Sequence, residues 1–352
     1  MSYNESLVGS TSSTDHAIHA LRALLRGDDR TVDERWRTWA RELINMYELS
    51  PHLISGLWQE VLDFDRTLGS YVAKPIPLDV PAVIVAGSGK ETFKTFNAST
   101  AASILAAASG AYVVKGVSRS VSAVSGSADV LDVLGLPISE TPGTVPRTLE
   151  RDRIAFISYS AFCPTYAGRY DGVFPFLSPF SFFMPVAVFG IQASSFVYGI
   201  AHTNVLLAAE AIRAVRQDLQ HGVVVATELS QQEMMDEQAS YGISYTAVLD
   251  GTHPRVFRGA HPPAPESWRA AVAHRSSHQD NAALLRSSLT PDGCAACAEL
   301  VDRNAALILA ASQWGKIDEV SALARVRNVR LAGGAVRLLA ELQDRKGMRR
   351  AS

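Results

Sequence analysis

Cysteine is scarce: a chain of 352 residues has only Cys163, Cys294 and Cys297. That excludes a disulfide framework. Cys294 and Cys297 form a CxxC pair, but a zinc site needs two more ligands at similar spacing, and none is nearby. The pair is read instead as two cysteines near the start of a helix. No apolar run reaches the roughly 18 residues of a membrane span. Residues Met1 to His16 are polar and carry Asp and Glu, so they lack the basic start and apolar stretch of a secretory signal. Residues 1–14 are read as a disordered lead-in and the protein as cytoplasmic. An excess of one charge is also missing: 33 Lys and Arg stand against 35 Asp and Glu, a net charge of −2. That leaves no basic footprint for nucleic acid. There is no fixed-period repeat and no low-complexity tract.

What is there is ordinary globular material, 47% hydrophobic and 19% charged, enough for one large domain and a small one. Ala17, Leu21, Leu24 and Leu25 recur at helical spacing. A second helical run covers Arg35 to Met46, and Ser50-Pro51 starts a third, with Ser50 as N-cap and Pro51 in the first turn. At Val80 the texture changes. Val83-Ile84-Val85-Ala86 is a continuous apolar run that stops at Gly87, as a buried parallel strand does when it empties into a loop. Further strands are expected at Tyr112 to Val114, Ile154 to Ile157, Val223 to Val225 and Ser244 to Leu249. Helices are expected up to about Ser109, from Ser127 to Gly135, from His202 to Leu219, and from Asp280 onward. Strands alternating with helices imply an α/β sheet.

Two loops leave the carboxyl ends of neighbouring strands, the edge where open α/β sheets bind ligands. The first is Gly87-Ser88-Gly89-Lys90-Glu91, followed by Asn97, Ser99 and Thr100. Glycines let the backbone approach a phosphate, and the polar trio stands at a helix start that favours an anion. Alone, this is also what a plain strand-to-helix turn looks like. It is not a Walker A loop, because Glu91 follows Gly89-Lys90 and Ile84 stands where the first Gly is required. The second loop holds Lys115, Arg119 and five serines up to Ser127. A Ser-rich linker is the competing reading. The position between a strand and a helix that Ser127 can cap weakens it.

Together these runs resemble the anthranilate phosphoribosyltransferase family, which shares a nucleoside phosphorylase-like fold (glycosyltransferase family 3). The family's pattern is Gly-Thr-Gly-Gly-Asp, Thr-Phe-Asn-x-Ser-Thr, Lys-His-Gly-Asn-Arg and Ser-Gly-Ser-Ala-Asp-Val-Leu-Glu-x-Leu-Gly. This chain has Gly87-Ser88-Gly89-Lys90-Glu91, Thr95-Phe96-Asn97-Ala98-Ser99-Thr100, Lys115-Gly116-Val117-Ser118-Arg119 and Ser125 to Gly135, in the same order and spacing over about fifty residues. Leu49-Ser50-Pro51, Asp280 to Leu285 and Asn304-Ala305-Ala306 extend the likeness, and Met235-Asp236-Glu237 stands where the family has Gly-Leu-Asp-Glu.

The resemblance implies a small all-helical N-terminal domain over 15–78, joined by about 163–185. It implies a larger α/β domain over 79–162 and 186–352 with a central, mainly parallel sheet and the active site in the cleft between them. It implies a phosphoribosyl diphosphate-type donor held by Gly87, Gly89, Lys90, Asn97, Ser99, Thr100, Lys115, Arg119 and Ser127. Mg²⁺ is implied at Ser99, Asp236 and Glu237, as suits hard oxygen ligands, and a homodimer is implied through the helical domain. No catalytic acid or base is named, because a nucleophilic amine attacking an oxocarbenium-like ribose needs positioning and electrostatics.

The acceptor side departs from the family. Lys90 and Glu91 replace Gly and Asp, and Gly116-Val117-Ser118 replace the His-Gly-Asn that helps hold the acceptor. The Arg that grips the acceptor's carboxylate falls, without gaps, on Leu177, with Arg169 close by. Five phenylalanines lie within ten residues from Phe174 to Phe183, which is either core or a remodelled acceptor pocket. Gly116, Val117, Ser118, Tyr166, Arg169 and Leu177 are the candidate acceptor residues. The expectation is a pentosyltransferase acting on an aromatic or apolar small molecule other than plain anthranilate, set in secondary metabolism. The alternatives are a true anthranilate phosphoribosyltransferase of tryptophan synthesis, a non-catalytic ligand-binding relative, and a nucleoside phosphorylase of related fold. The transferase-type runs at 95–100 and 125–129 favour the transferase over the phosphorylase.

Overall fold

A computed structural model describes residues 11–27, 32–45, 49–119, 125–251 and 253–351. Of the expected lead-in over 1–14, residues 1–10 lie outside them and residues 11–14 are helical instead, and the expected helix end at Met46 and the serine loop at 120–124 also lie outside. Four helices come first: α1 (Thr11–Arg26), α2 (Val32–Asn45), α3 (Pro51–Phe64) and α4 (Arg66–Ala73). α1 begins ahead of the Asp15 start suggested by the apolar spacing. Ser50 caps α3 as expected, its Oγ accepting from Leu53 N at 3.2 Å, with Pro51 in the first turn.

Strands and helices then alternate: β1 (Ala82–Gly87), α5 (Ala98–Ala108), β2 (Tyr112–Val117), α6 (Ser127–Val133), α7 (Val145–Asp152) and β3 (Ile154–Ser158). Next come α8 (Pro164–Tyr170), α9 (Met184–Ala187), β4 (Ser195–Gly199) and α10 (Val205–Val215). An antiparallel part follows, β5 (His221–Ser230), β6 (Glu233–Met235), β7 (Ile243–Asp250) and β8 (Arg255–Ala260). The chain closes with α11 (Glu266–Val272), α12 (His278–Leu289), α13 (Ala295–Ser312), α14 (Glu319–Leu331) and α15 (Gly334–Ala351). Cys294 caps α13, its Sγ accepting from Cys297 N, which is the helix start read from the CxxC spacing.

The strand order is β3-β2-β1-β4-β5-β7-β8, with β6 beside β5. β3 to β5 pair in parallel, and β5, β6, β7 and β8 pair antiparallel. Both faces of the parallel part are covered. Ala82, Ile84 and Ala86 of β1 enter one core, and Val83 and Val85 enter the other. Burial on both faces is why β1 reads as an unbroken apolar run rather than an alternating one. β8 is the outer strand and is largely exposed, Val256 at 48% and Phe257 at 53%. The order reverses between β1 and β4, which opens a crevice at their carboxyl ends.

The segment after β3 returns to the first helices. Asp65 caps α4 through Leu68 N (3.1 Å) and also accepts from Tyr166 N of α8 (2.8 Å). Arg37 donates to Val173 O (2.6 Å). One fully buried carboxylate thus ties two helices, because it has enough lone pairs for both donors. Among the described residues, no helix is long and apolar enough to cross a membrane.

Candidate active site

Two adjoining cavities open at the carboxyl ends of β1 and β2. The first, of about 180 Å³, is polar and lies under the Gly87–Glu91 loop. Gly87, Gly89, Lys90, Asn97, Ser99, Lys115, Arg119 and Ser127 line it together with Asp236 and Glu237. Of the donor residues expected from the sequence, Thr100 is the exception. It is fully buried in α5 and does not line the cavity.

Asp236 sits over the β1–β4 crevice. Its Oδ2 accepts from Ser88 Oγ and from Gly89 N, each at 3.2 Å. This approach needs glycine on both strands. A Cβ on Gly199 would stand 1.8 Å from Asp236 O, and one on Gly87 would stand 2.9 Å from its Oδ2. Glu237 is buried and accepts from Thr95 Oγ1 at 2.9 Å. Oε2 of Glu237, Oε2 of Glu91 and Oδ1 of Asn97 are buried without a partner among the described residues. Burial, with the charge of Glu91 adding to it, pushes Asp236 up to about 7. Burial and the neighbouring Asp236 raise Glu237 as well. Lys115 is also buried, and burial pulls its ammonium down to about 8 against the pull of Asp236 and Glu237.

Buried acids with unused oxygens are unstable neighbours for one another unless protons or a cation join them. Among the described residues, no three His, Cys, Asp or Glu side chains converge tightly enough to hold a metal alone. Two carboxylates facing an open polar cavity suit a small divalent ion that completes its shell with ligand oxygens and water. The residues present fit such an ion.

Some expected details differ. β2 runs on to Val117, so Lys115, Gly116 and Val117 belong to the strand and not to a loop. Ser127 does not cap α6. Gly126 holds that position and its N–H donates to Asp129 Oδ2 at 2.9 Å, while Ser127 Oγ accepts from Ser118 N at 3.2 Å. Arg119 stands at the rim with its guanidinium on Asp129 (3.3 Å) and Asp132 (3.1 Å). Sequence reasoning missed His274, which lines the same cavity and meets Ser125 O at 3.3 Å. It arrives through a bridge between Thr95 and Ala273, and nothing local in the sequence announces that.

The second cavity, of about 410 Å³, is aromatic. Gly116, Val117, Ser118 and Tyr166 line it, as expected. Arg169 and Leu177 do not. Arg169 turns toward the first helices, donating to Leu24 O (3.0 Å) and Asp33 (2.7 Å). Leu177 packs against the core beside the aromatic segment. The walls come instead from Phe174 and Phe180 of the phenylalanine-rich run, which the sequence left open as core or pocket, and from Tyr159, Tyr170, Met184 and Phe189, which it did not single out. Phe189 explains Gly116, since a Cβ there would stand 2.6 Å from the Phe189 ring. The wall carrying Phe189 is held by buried Arg216, which donates to the carbonyls of Ala187, Phe189 and Ile191 and pairs with Asp218. Lys90 separates the cavities, its Nζ donating to Phe174 O at 2.9 Å.

Residues 79–336 match the family described as glycosyl transferase family, a/b domain. The anthranilate phosphoribosyltransferase of Pyrobaculum aerophilum is 34% identical over 171 residues, 47% of this chain and 50% of that protein. The chain thus spans about half the length of that relative. The Ralstonia pickettii protein of the same name is 28% identical over 349 residues, 92% of this chain and 90% of that one. The crystal structure of anthranilate phosphoribosyltransferase from Thermus thermophilus superposes with a TM-score of 0.71 at 23% identity, covering 94% of each chain. The Saccharomyces cerevisiae enzyme in complex with PRPP and Mg gives 0.71 at 17% identity, covering 96% of this chain and 94% of that one.

Proposed function

Since the chain belongs to the anthranilate phosphoribosyltransferase family of glycosyl transferases, we propose that it moves a phosphoribosyl group from a diphosphate donor to an aromatic acceptor other than plain anthranilate. The reading includes Mg²⁺, a homodimer joined through the first helices, and a setting in secondary metabolism. The observation that carries it is the polar cavity in which Asp236, Glu237 and Glu91 meet Lys115, Asn97 and Ser99, directly beside an aromatic one.

In this reading the donor's diphosphate and ribose lie along the 87–91 loop and the start of α5. Gly89 and Gly87 let the backbone come close, and Asn97 and Ser99 offer polar groups where α5 begins. Lys115, mostly cationic at neutral pH, draws phosphate oxygens. Ser99, Asp236 and Glu237 would hold Mg²⁺, whose charge would offset that of a departing diphosphate. The acceptor's lone pair forms the new bond to the ribose C1. The C1–O bond breaks with its electron pair leaving on diphosphate, and the acceptor's proton passes to diphosphate or solvent. The aromatic cavity orients the acceptor and excludes water, so the chain contributes positioning and electrostatics rather than a strong base. The departure from anthranilate rests on the acceptor wall, where Arg169 is turned away and Phe189 stands over Gly116.

Calorimetric titration with phosphoribosyl diphosphate tests the donor half. Binding is expected only with Mg²⁺. The Asp236→Ala/Glu237→Ala variant is expected to weaken it on the order of 100-fold, the size of two lost charge-assisted contacts. Absence of heat with and without Mg²⁺ would overturn the proposal. Anthranilate itself as acceptor is the second reading, favoured by the names of the relatives. Diphosphate release with anthranilate at a rate matching the best other acceptor would establish it.

A further inference from the structure

Among the described residues, one buried polar side-chain atom lining the aromatic cavity stands apart from the rest. Tyr166 lines it at 1% exposure, stacked on Tyr170 with ring centroids 4.7 Å apart. Tyr170 Oη is matched, sharing a hydrogen bond with Ser178 Oγ at 3.0 Å. Ser181 is matched as well, its Oγ accepting from Ser178 N and its carbonyl accepting from Tyr198 Oη. Among the described residues lining the cavity, only Tyr166 keeps a buried side-chain polar atom, its Oη, with no partner at full hydrogen-bond distance, the Tyr170 hydroxyl being near enough only for a weaker interaction. A buried hydroxyl left without a full hydrogen bond is costly, and a ligand atom placed against it would complete it.

The charges around it narrow what that something is. Lys90 gives its ammonium to Phe174 O, and Arg119 gives its guanidinium to Asp129 and Asp132. The remaining charged groups, Glu140 and Asp171, are exposed at the rim and negative. A carboxylate entering here would pass Glu140 and Asp171, and the two cations that line the cavity, Lys90 and Arg119, already hold other partners beside a wall of Phe174, Phe180, Met184 and Phe189. Transfer of an unpaired carboxylate into such a wall is strongly unfavourable. The volume of about 410 Å³ falls in the range that accepts ligands larger than one ring.

We infer that the acceptor is an uncharged aromatic molecule of more than one ring, and that Tyr166 is the specificity-determining residue that donates its hydroxyl to a neutral oxygen or nitrogen at the acceptor's inner end. This rests on the transferase reading above and narrows its acceptor class.

The test uses the full chain with Mg²⁺ and phosphoribosyl diphosphate, and four probes of matched shape. They are 2-aminobenzamide beside anthranilate, and 3-amino-2-naphthamide beside 3-amino-2-naphthoate. Donor binding is read first. If it is absent, the transferase reading fails and this inference falls with it. With donor bound, each amide is expected to bind at least about tenfold more tightly than its acid, with the two-ring amide tightest. Tyr166→Phe, which removes a hydroxyl that makes no full hydrogen bond and so spares the fold, is expected to weaken amide binding about tenfold, one hydrogen bond's worth. It leaves donor affinity and stability in urea unchanged. Donor binding with acids equal to or tighter than amides, with none of the four bound, or with amide affinity unmoved by Tyr166→Phe overturns the inference.

Discussion

Lys115 is buried and Asp236 half-buried, and the loss of water acts on them in opposite directions. A carboxyl raised to about 7 holds its proton in the folded chain at pH values where the unfolded chain has released it. The folded state then binds more protons between the ordinary aspartate value near 4 and about 7, so stability falls as pH rises through that window. Glu237, shifted the same way, adds to the slope. Lys115 works in a separate window. Lowered to about 8, it gives up its proton earlier when folded, and stability recovers as pH rises from about 8 toward its ordinary value near 10.4. Urea midpoints of the ligand-free chain are therefore expected to be higher at pH 5 than at pH 7.5, and Asp236→Asn is expected to shrink that difference. A variant with the wild-type pH slope would mean that Asp236 is not the group responsible. Most residues of the polar cavity were legible because they sit in a short stretch, from Gly87 to Ser127, with Asp236 and Glu237 as an outlying pair and His274 as the one the sequence did not announce. The aromatic wall was not, because it is gathered from positions 140, 159–160, 166–174 and 180–189, and a phenylalanine at any of them reads equally well as core.

At the scale of elements, β2 and the wall after α9 are fitted to one another through Gly116 and Phe189. A methyl group on Gly116 meets the Phe189 ring, itself packed edge-on against Phe162 at 5.4 Å. Gly116→Ala is expected to destabilise by roughly 1–3 kcal/mol, as overpacking of a filled core does. Shortening the ring with Phe189→Leu in the same chain is expected to recover part of the loss. Denaturation of both singles and the double gives the coupling, and strict additivity would show that the two side chains do not compete for space. The sequence announced the elements with strong local signatures: β1 by its apolar run, α3 by Ser50-Pro51, α13 by its cysteines. It was silent on β4, whose five residues Ser195–Gly199 mix Ser, Tyr and Gly, and on β6, only three residues long. β4 owes its place to parallel neighbours on both sides, and its Gly199 to the backbone of Asp236. Such requirements are set by distant parts of the chain and leave no periodic trace.

Across the whole molecule, the reversal of strand order between β1 and β4 puts two unlike cavities side by side, with Gly87, Ser88, Lys90, Gly116, Ser118 and Arg119 common to both. A polar charge-bearing chamber and an aromatic one can share a wall because the wall is mostly backbone and small side chains. The far edge of the same sheet raises a different matter. Among the described residues no strand pairs the outer edge of β8, where Val256 and Phe257 stand in the open, bracketed by Arg255 and Arg258. An open edge of this kind recruits other strands, and flanking cations of one sign keep two such edges apart. Arg255→Ser/Arg258→Ser is expected to leave donor affinity as it was while light scattering of a concentrated solution climbs over hours, and clear solutions at equal concentration would count against it. On this expectation, keeping copies of the chain apart falls to two arginines that line neither cavity, at a border of the sheet remote from both.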